Sequence, residues 1–138
     1  MPAKNTARKK MSRVEQRELD TKIEFIEGLV RRDPNNVDAL QILGDHYTQR
    51  GRINEGLQVD ERLARLEPRN PLVFYNLACS YSLSGEIDQA ANALERALQL
   101  GYRDFDWLAK DPDLKPLRGH AAFDDLKAKI RQLKAKAR

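Results

Sequence analysis

The side chains that could do chemistry are few in this chain and poorly placed for catalysis. His46 and His120 are its two histidines, and Cys79 is its one cysteine. Asp45 precedes His46, but neighbouring residues of a helix do not face each other, so these two do not form a catalytic dyad. Cys79 has no histidine or acid close to it in sequence, and a small residue on a helix face is a role that suits it better than a reactive thiol.

Other catalytic patterns are also missing from the sequence. It has no glycine-rich phosphate loop, no nucleophile elbow and no thiol or histidine spacing that suits a metal. The acid pairs Asp111/Asp113 and Asp124/Asp125 fall at turns and helix starts, where carboxylates cap helices. We therefore expect a protein that is not an enzyme and that needs no metal or cofactor.

A repeat of about 34 residues organises the elements that carry these side chains. Sliding the sequence by this step superimposes similar residues over two segments. The aligned pairs include Leu40 with Phe74, Leu43 with Leu77, Gly44 with Ala78, Tyr47 with Tyr81, Gly51 with Gly85, Gly56 with Ala90 and Leu66 with Leu100. Each unit carries apolar residues at helical spacing on both sides of its glycine, which predicts an all-α, short helical solenoid made of antiparallel helix pairs.

The helix boundaries are indicated by local signals. Ser12 and Glu15 form a capping-box pattern for a first helix that ends near Arg31-Arg32. Gly51 suits the left-handed turn that ends a helix over residues 37–50, and Asn54 could cap the next helix. Pro71 suits the first turn of the helix after that. We expect full repeats over about residues 37–70 and 71–104, within a helical domain over 12–133.

Charge separates the chain into an acidic body and two basic ends. The net charge is +4, but five basic residues and no acid lie in residues 1–13, and six basic residues and no acid lie in 127–138. The other 14 basic residues face all 21 acidic ones, which leaves a body of about −7. We expect residues 1–11 to form a disordered basic arm and 134–138 a basic tail. Such ends can hold nucleic acid or an anionic surface, or simply remain solvated.

The residues of the two units resemble the tetratricopeptide repeat family over about residues 22–102. Gly44 with Gly56, and Ala78 with Ala90, match the small residues at which paired helices of that family meet. Asp60 departs from the pattern, because the family usually has a large apolar residue there. Residues 105–133 are similar to a segment that closes the last helix pair in small bacterial proteins of this kind; we call them the closing segment.

The resemblance implies that the first helix of each pair lines a concave groove for a peptide or a partner helix. The residues left on that face once the core positions are assigned are Asp38, Gln41, Asp45, Gln49, Leu72, Tyr75, Asn76, Cys79 and Leu83. The acidic wall favours a basic or amphipathic ligand, which predicts a protein-interaction scaffold. The alternative is a protein that associates with RNA or an anionic surface through its basic ends, and self-association is a third possibility.

Composition adds an expected location. The apolar runs are too short to cross a bilayer, and one cysteine cannot form an internal disulfide. Residues 1–10 are basic but no apolar stretch comes after them, so they do not have the form of a secretory signal. We expect a cytoplasmic protein that does not insert into membranes.

Overall fold

A computed structural model of the chain describes residues 10–137, and this part is all-α, with no strand. It contains eight α-helices and two short 3₁₀ turns. The α-helices are α1 (Arg13–Arg32), α2 (Val37–Arg50), α3 (Ile53–Leu66), α4 (Pro71–Leu83), α5 (Ile87–Gln99), α6 (Phe105–Lys110), α7 (Lys115–Arg118) and α8 (Asp124–Lys136), and the 3₁₀ turns are Pro112–Leu114 and Ala121–Phe123. The expected fold class, a short helical solenoid, is confirmed.

The predicted helix signals act where the sequence places them. Ser12 and Glu15 form the capping box of α1, with each side chain accepting from the backbone N–H of the other at 3.0–3.1 Å. Gly51 follows the last residue of α2 with φ of 83°, and Gly85 lies in the turn after α4 with φ of 80°. Both angles fall in the left-handed region, which is unfavourable for a residue that has a Cβ. One prediction is wrong. Asn54 does not cap α3, because that helix already begins at Ile53 after the N-cap residue Arg52, whose side chain makes no capping hydrogen bond.

The repeat also shows in equivalent contacts 34 residues apart. Asn36 and Asn70 cap α2 and α4 with their side chains, and Asp104 caps α6 in the same way. The Tyr47 hydroxyl donates to Glu27 at 2.5 Å, and the Tyr81 hydroxyl donates to Glu61 at 2.8 Å. These repeated bonds link the first helix of each pair to the helix before it, so one local design builds successive layers of the solenoid.

Small residues bring the paired helices close together. A Cβ added to Gly44 would lie 3.3 Å from Val59 Cγ1, and one added to Gly56 would lie 3.2 Å from Thr48 Oγ1. In the second pair, Ala78 and Ala90 occupy the corresponding positions and are fully buried. Because so little space remains between the paired helices, only small residues fit at these positions, as the repeat pattern predicts.

The core consists of two apolar clusters. The first joins α1, α2 and α3 around Ile23, Leu40 and Leu63. The second is larger, and it joins α4 and α5 to the closing segment, which contributes Leu114 and Leu117, both fully buried. Within residues 10–137, helix α1 is therefore the first layer of the solenoid, and the closing segment covers its C-terminal end.

Asp60 explains how the departure from the repeat pattern is tolerated. Its carboxylate is 2% exposed and accepts a hydrogen bond from the Ser80 hydroxyl on α4. A buried carboxylate is costly unless it is hydrogen-bonded, so this polar contact replaces the apolar packing expected between the first and second pairs.

Candidate functional site

Four of the nine predicted groove residues converge on one cavity between the two repeats. We call it the inter-repeat pocket. It has a volume of about 180 Å³ and is lined by Gln41 and Asp45 from α2, Asp60 and Leu63 from α3, Asn70 at the start of α4, and Leu72, Val73 and Asn76 from α4. The sequence predicts four of these residues, Gln41, Asp45, Leu72 and Asn76, but not Asp60, Leu63, Asn70 and Val73.

The helical pitch brings these side chains together. Gln41 and Asp45 are four residues apart on α2, so they stand one above the other on the same face. Leu72 and Asn76 have the same spacing on α4. The Asn70 side chain accepts from the Leu72 N–H at 3.0 Å, which caps α4 and fixes one wall of the pocket.

The chemistry of the inter-repeat pocket is acidic and amide-rich over an apolar floor. Asp45 and Asp60 supply carboxylates, Gln41, Asn70 and Asn76 supply amides, and three aliphatic side chains supply the floor. Amides can both donate to and accept from an extended peptide backbone, and carboxylates attract a cationic side chain. The arrangement can therefore hold polar backbone and positive charge together.

Tyr75 and Cys79 are not part of this surface, and their assignment to an open groove is wrong. Both are fully buried. The Tyr75 ring stacks on Tyr102 with centroids 4.2 Å apart, and its hydroxyl donates to Asp111 Oδ2 at 2.8 Å. The Cys79 thiol lies 3.5 Å from the same oxygen. Burial, with the nearby Cys79 and Asp111, raises the pKa of Tyr75 well above its usual range.

The physical reason is that the closing segment lies against this part of α4. Asp111 is itself fully buried, and its Oδ1 also accepts from the Asp113 N–H at 3.0 Å. Further along, the Leu117 N–H donates to the Ser82 hydroxyl at 3.3 Å. The groove expected along α4 is thus filled by the protein's own chain, whereas the inter-repeat pocket stays accessible.

The other predicted residues lie outside the pocket lining. Asp38 and Gln49, near the two ends of α2, are exposed, and Leu83 at the end of α4 is partly buried. Within residues 10–137, no group of three histidine, cysteine or acidic side chains is arranged to hold a metal ion. In the same part of the chain no helix is both long and apolar enough to cross a membrane.

Comparisons with known proteins bear on the fold. No protein-family model matches the sequence. The chain is 35% identical over 86 residues to a chloroplastic protein of Arabidopsis thaliana, a match that covers 60% of this chain and 26% of that protein. It is 34% identical over 90 residues to the peroxisomal targeting signal receptor of Komagataella phaffii, covering 64% and 16%. It is 29% identical over 89 residues to Superkiller protein 3 of Saccharomyces cerevisiae, covering 64% and 6%.

The receptor and Superkiller protein 3 contain tetratricopeptide repeats (TPRs). The fold of this chain is TPR-like. The chain spans about a quarter or less of the length of these relatives. They come from a plant and from yeasts, so they do not support the expected small bacterial type. Their names refer to different compartments, and the expected cytoplasmic location of this TPR-like chain stays a prediction.

Proposed function

We propose that this TPR-like chain is a protein-interaction scaffold that docks a basic peptide, or one basic face of a partner helix, at the inter-repeat pocket. The observation that carries the proposal is the convergence of Gln41, Asp45, Asn76 and the buried Asp60 on one cavity. One relative is, by its name, a receptor for a targeting signal, which supports a peptide-binding use of this fold.

The geometry favours a ligand with a cationic side chain. The apolar floor of Leu63, Leu72 and Val73 can contact an aliphatic stem, while the carboxylates lie around it. Lysine and arginine combine an aliphatic stem with a charged head, and they bury the stem along apolar surface in this way. A terminal carboxylate is disfavoured, because Asp45 would repel it.

A peptide-selection experiment tests this proposal. A random peptide library is panned against the wild-type chain and against Gln41→Ala/Asn76→Ala, with Asn54→Ala/Gln58→Ala as a control that removes the same two amide types from the exposed face of α3. The wild type and the control should select peptides rich in lysine and arginine. The pocket variant should lose them, with affinity reduced about tenfold or more.

Charge reversal gives a second, independent readout. Asp45→Lys should change the selected peptides from basic to acidic, since the substitution inverts the charge of the pocket wall. The proposal fails if Gln41→Ala/Asn76→Ala and Asp45→Lys both keep the wild-type selection. Circular dichroism of each variant shows whether the helices are intact.

A further inference from the structure

A second surface, at the opposite end of the domain, has chemistry unlike that of the inter-repeat pocket. We call it the C-terminal groove. It lies between α6 and α8 with a volume of about 300 Å³, and it is lined by Phe105, Leu108, Ala109, Arg118, Phe123, Lys127, Ile130, Arg131 and Lys134. Five of these side chains are apolar, four are cationic and none is acidic.

The apolar residues form the floor of the groove. Leu108 and Phe123 are nearly buried, at 2% and 5% exposed, and they anchor the groove to the core of the closing segment. Phe105 and Ile130 pack on that core but keep part of their surface open. A ligand in the groove would therefore gain apolar contact with surfaces whose positions are already fixed, which lowers the entropic cost of binding.

The cations stand along the rim. The Lys134 ammonium lies 5.9 Å from the centre of the Phe105 ring, and the Lys127 ammonium lies 6.0 Å from the centre of the Phe123 ring. Arg118 is held in place because its Nη1 donates to the carbonyl oxygens of Leu108 and Asp111, at 2.9 and 2.6 Å. The lysine stems and the rings thus form one apolar surface with positive charge at its edge.

Ion pairs among residues 10–137 neutralise little of this charge. Lys129, on another face of α8, forms an ion pair with Glu95, and Lys127 has Asp124 at 3.9 Å. Among residues 10–137, no carboxylate lies within ion-pair distance of Arg131 or Lys134. A surface with an apolar floor and uncompensated positive charge favours a ligand that is apolar and acidic at once.

We infer that the C-terminal groove binds an acidic amphipathic peptide segment of a partner protein. Its apolar side chains contact Phe105 and Ile130, and its carboxylates pair with Arg131, Lys134 and Lys127. A nucleic-acid strand fits less well, since such strands rely on stacking of bases on aromatic faces. Phe123 is only 5% exposed, and lysine ammonium groups lie over the rings of both Phe123 and Phe105. A phosphodiester chain would also leave the apolar floor unused.

Direct binding of a defined probe tests the inference. The probe is a fluorescein-labelled helical peptide of about 15 residues, with leucine along one face and glutamate on its flanks. Two further labelled probes serve as comparisons. One is the same peptide with every glutamate replaced by lysine, and the other is a single-stranded RNA of uridines. Fluorescence anisotropy should detect binding of the glutamate peptide to the full chain, much weaker binding of the lysine peptide, and RNA binding that is weaker than that of the glutamate peptide.

The variants localise the binding. Arg131→Glu/Lys134→Glu should weaken the glutamate peptide about tenfold or more. Arg17→Glu/Lys22→Glu makes the same change in net charge on exposed residues of α1 and should leave the affinity within about twofold. Ile130→Ser should also weaken binding, because it removes apolar contact from the groove without changing any charge. Thermal unfolding of each variant shows that the domain is still folded.

Several outcomes would overturn the inference. Equal losses in the α8 and α1 charge variants would show attraction by net charge alone. Equal binding of the lysine and glutamate peptides would show a purely apolar site. Tighter binding of the RNA, removed by the α8 variant, would assign the surface to nucleic acid. A failure of the inter-repeat pocket to select basic peptides would leave this result unaffected, since the two surfaces share no residue.

Discussion

Equivalent positions in the two repeats differ in whether they are accessible or buried. Gln41 and Asp45 on α2 are 34 residues before Tyr75 and Cys79 on α4, so a perfect repeat would place both pairs on the same continuous face. The first pair lines an accessible cavity. The second pair is fully buried against Tyr102 and Asp111.

The difference shows that exposure along a solenoid depends on the segment that comes after each helix pair. After α2 and α3, another regular pair packs on the end of the stack, and a gap remains between the repeats. After α4 and α5, the helix that should continue the stack stops at Lys110, and the chain turns at Asp111-Pro112. The closing segment then lies on α4 and covers Tyr75 and Cys79, whereas the cavity between the two repeats remains accessible.

The largest expected effect on stability comes from truncating a buried side chain of the closing segment. Leu114→Ala removes a fully buried side chain of the closing segment and should lower the free energy of unfolding by about 2–5 kcal/mol. Leu72→Ala truncates a partly buried leucine at the accessible side and should cost about 1 kcal/mol. Urea denaturation followed by circular dichroism measures both. Similar losses in the two variants would contradict the contrast between the sides.

The second largest effect on stability concerns the buried carboxylate of Asp111. Asp111→Ala removes the acceptor of the Tyr75 hydroxyl and the Asp113 N–H, and it should cost about 1–3 kcal/mol. Asp45→Ala, which removes a partly exposed carboxylate from the inter-repeat pocket, should cost less than about 1 kcal/mol.

Cys79 provides a local readout for the same pair of variants. Its thiol is fully buried, so it reacts with a disulfide reagent only when the covering chain opens. Asp111→Ala should raise the labelling rate about tenfold or more, whereas Asp45→Ala should leave it near the wild-type value. An unchanged rate in Asp111→Ala would mean that the closing segment does not depend on this carboxylate.

The smallest expected effect is a loss of stability at alkaline pH, which distinguishes the two tyrosines of α4, Tyr75 and Tyr81. Burial and the hydrogen bond to Glu61 raise the pKa of Tyr81 to about 12. A phenol of the unfolded chain has a pKa of about 10. The stability that Tyr81 contributes is therefore fully present below about pH 10 and is lost as the pH rises through about 12. The melting temperature of the wild type should fall over this range, and slightly less steeply in Tyr81→Phe.

Phenolate absorbance distinguishes Tyr81 from Tyr75 directly. The pKa of Tyr75 is raised further, because its ring is completely covered, so it should ionise only together with unfolding. Tyr81→Phe should remove absorbance that appears before the unfolding transition, and Tyr75→Phe should remove absorbance that appears with it. The reverse assignment would contradict the structural difference between the two positions.

Much of the fold could be predicted from local signals. The capping box at Ser12 and the glycines at positions 51 and 85 act over a few residues, so their patterns identify helix boundaries without any knowledge of packing. The paired small residues at 44 and 56 likewise indicate where two helices meet. The prediction that Asn54 caps α3 is wrong because it depends only on the side-chain type, whereas the helix begins one residue earlier, at Ile53.

The candidate site was only half predictable. Helical spacing correctly grouped Gln41 with Asp45 and Leu72 with Asn76, since side chains four residues apart share a face. It could not reveal that Asp60 and Leu63 complete the inter-repeat pocket, or that the C-terminal groove forms between α6 and α8, because neither is a property of one helix.

The sequence by itself determined the helices, their pairing and the 34-residue step, because each depends on contacts between residues close along the chain. The tertiary structure alone decided which face of each repeat remains accessible. Tyr75 meets Asp111 across 36 residues of sequence, and that contact depends on the direction in which the chain turns after α6. Periodicity specifies which side chains share a helix face, and only the packing of distant segments determines what covers that face.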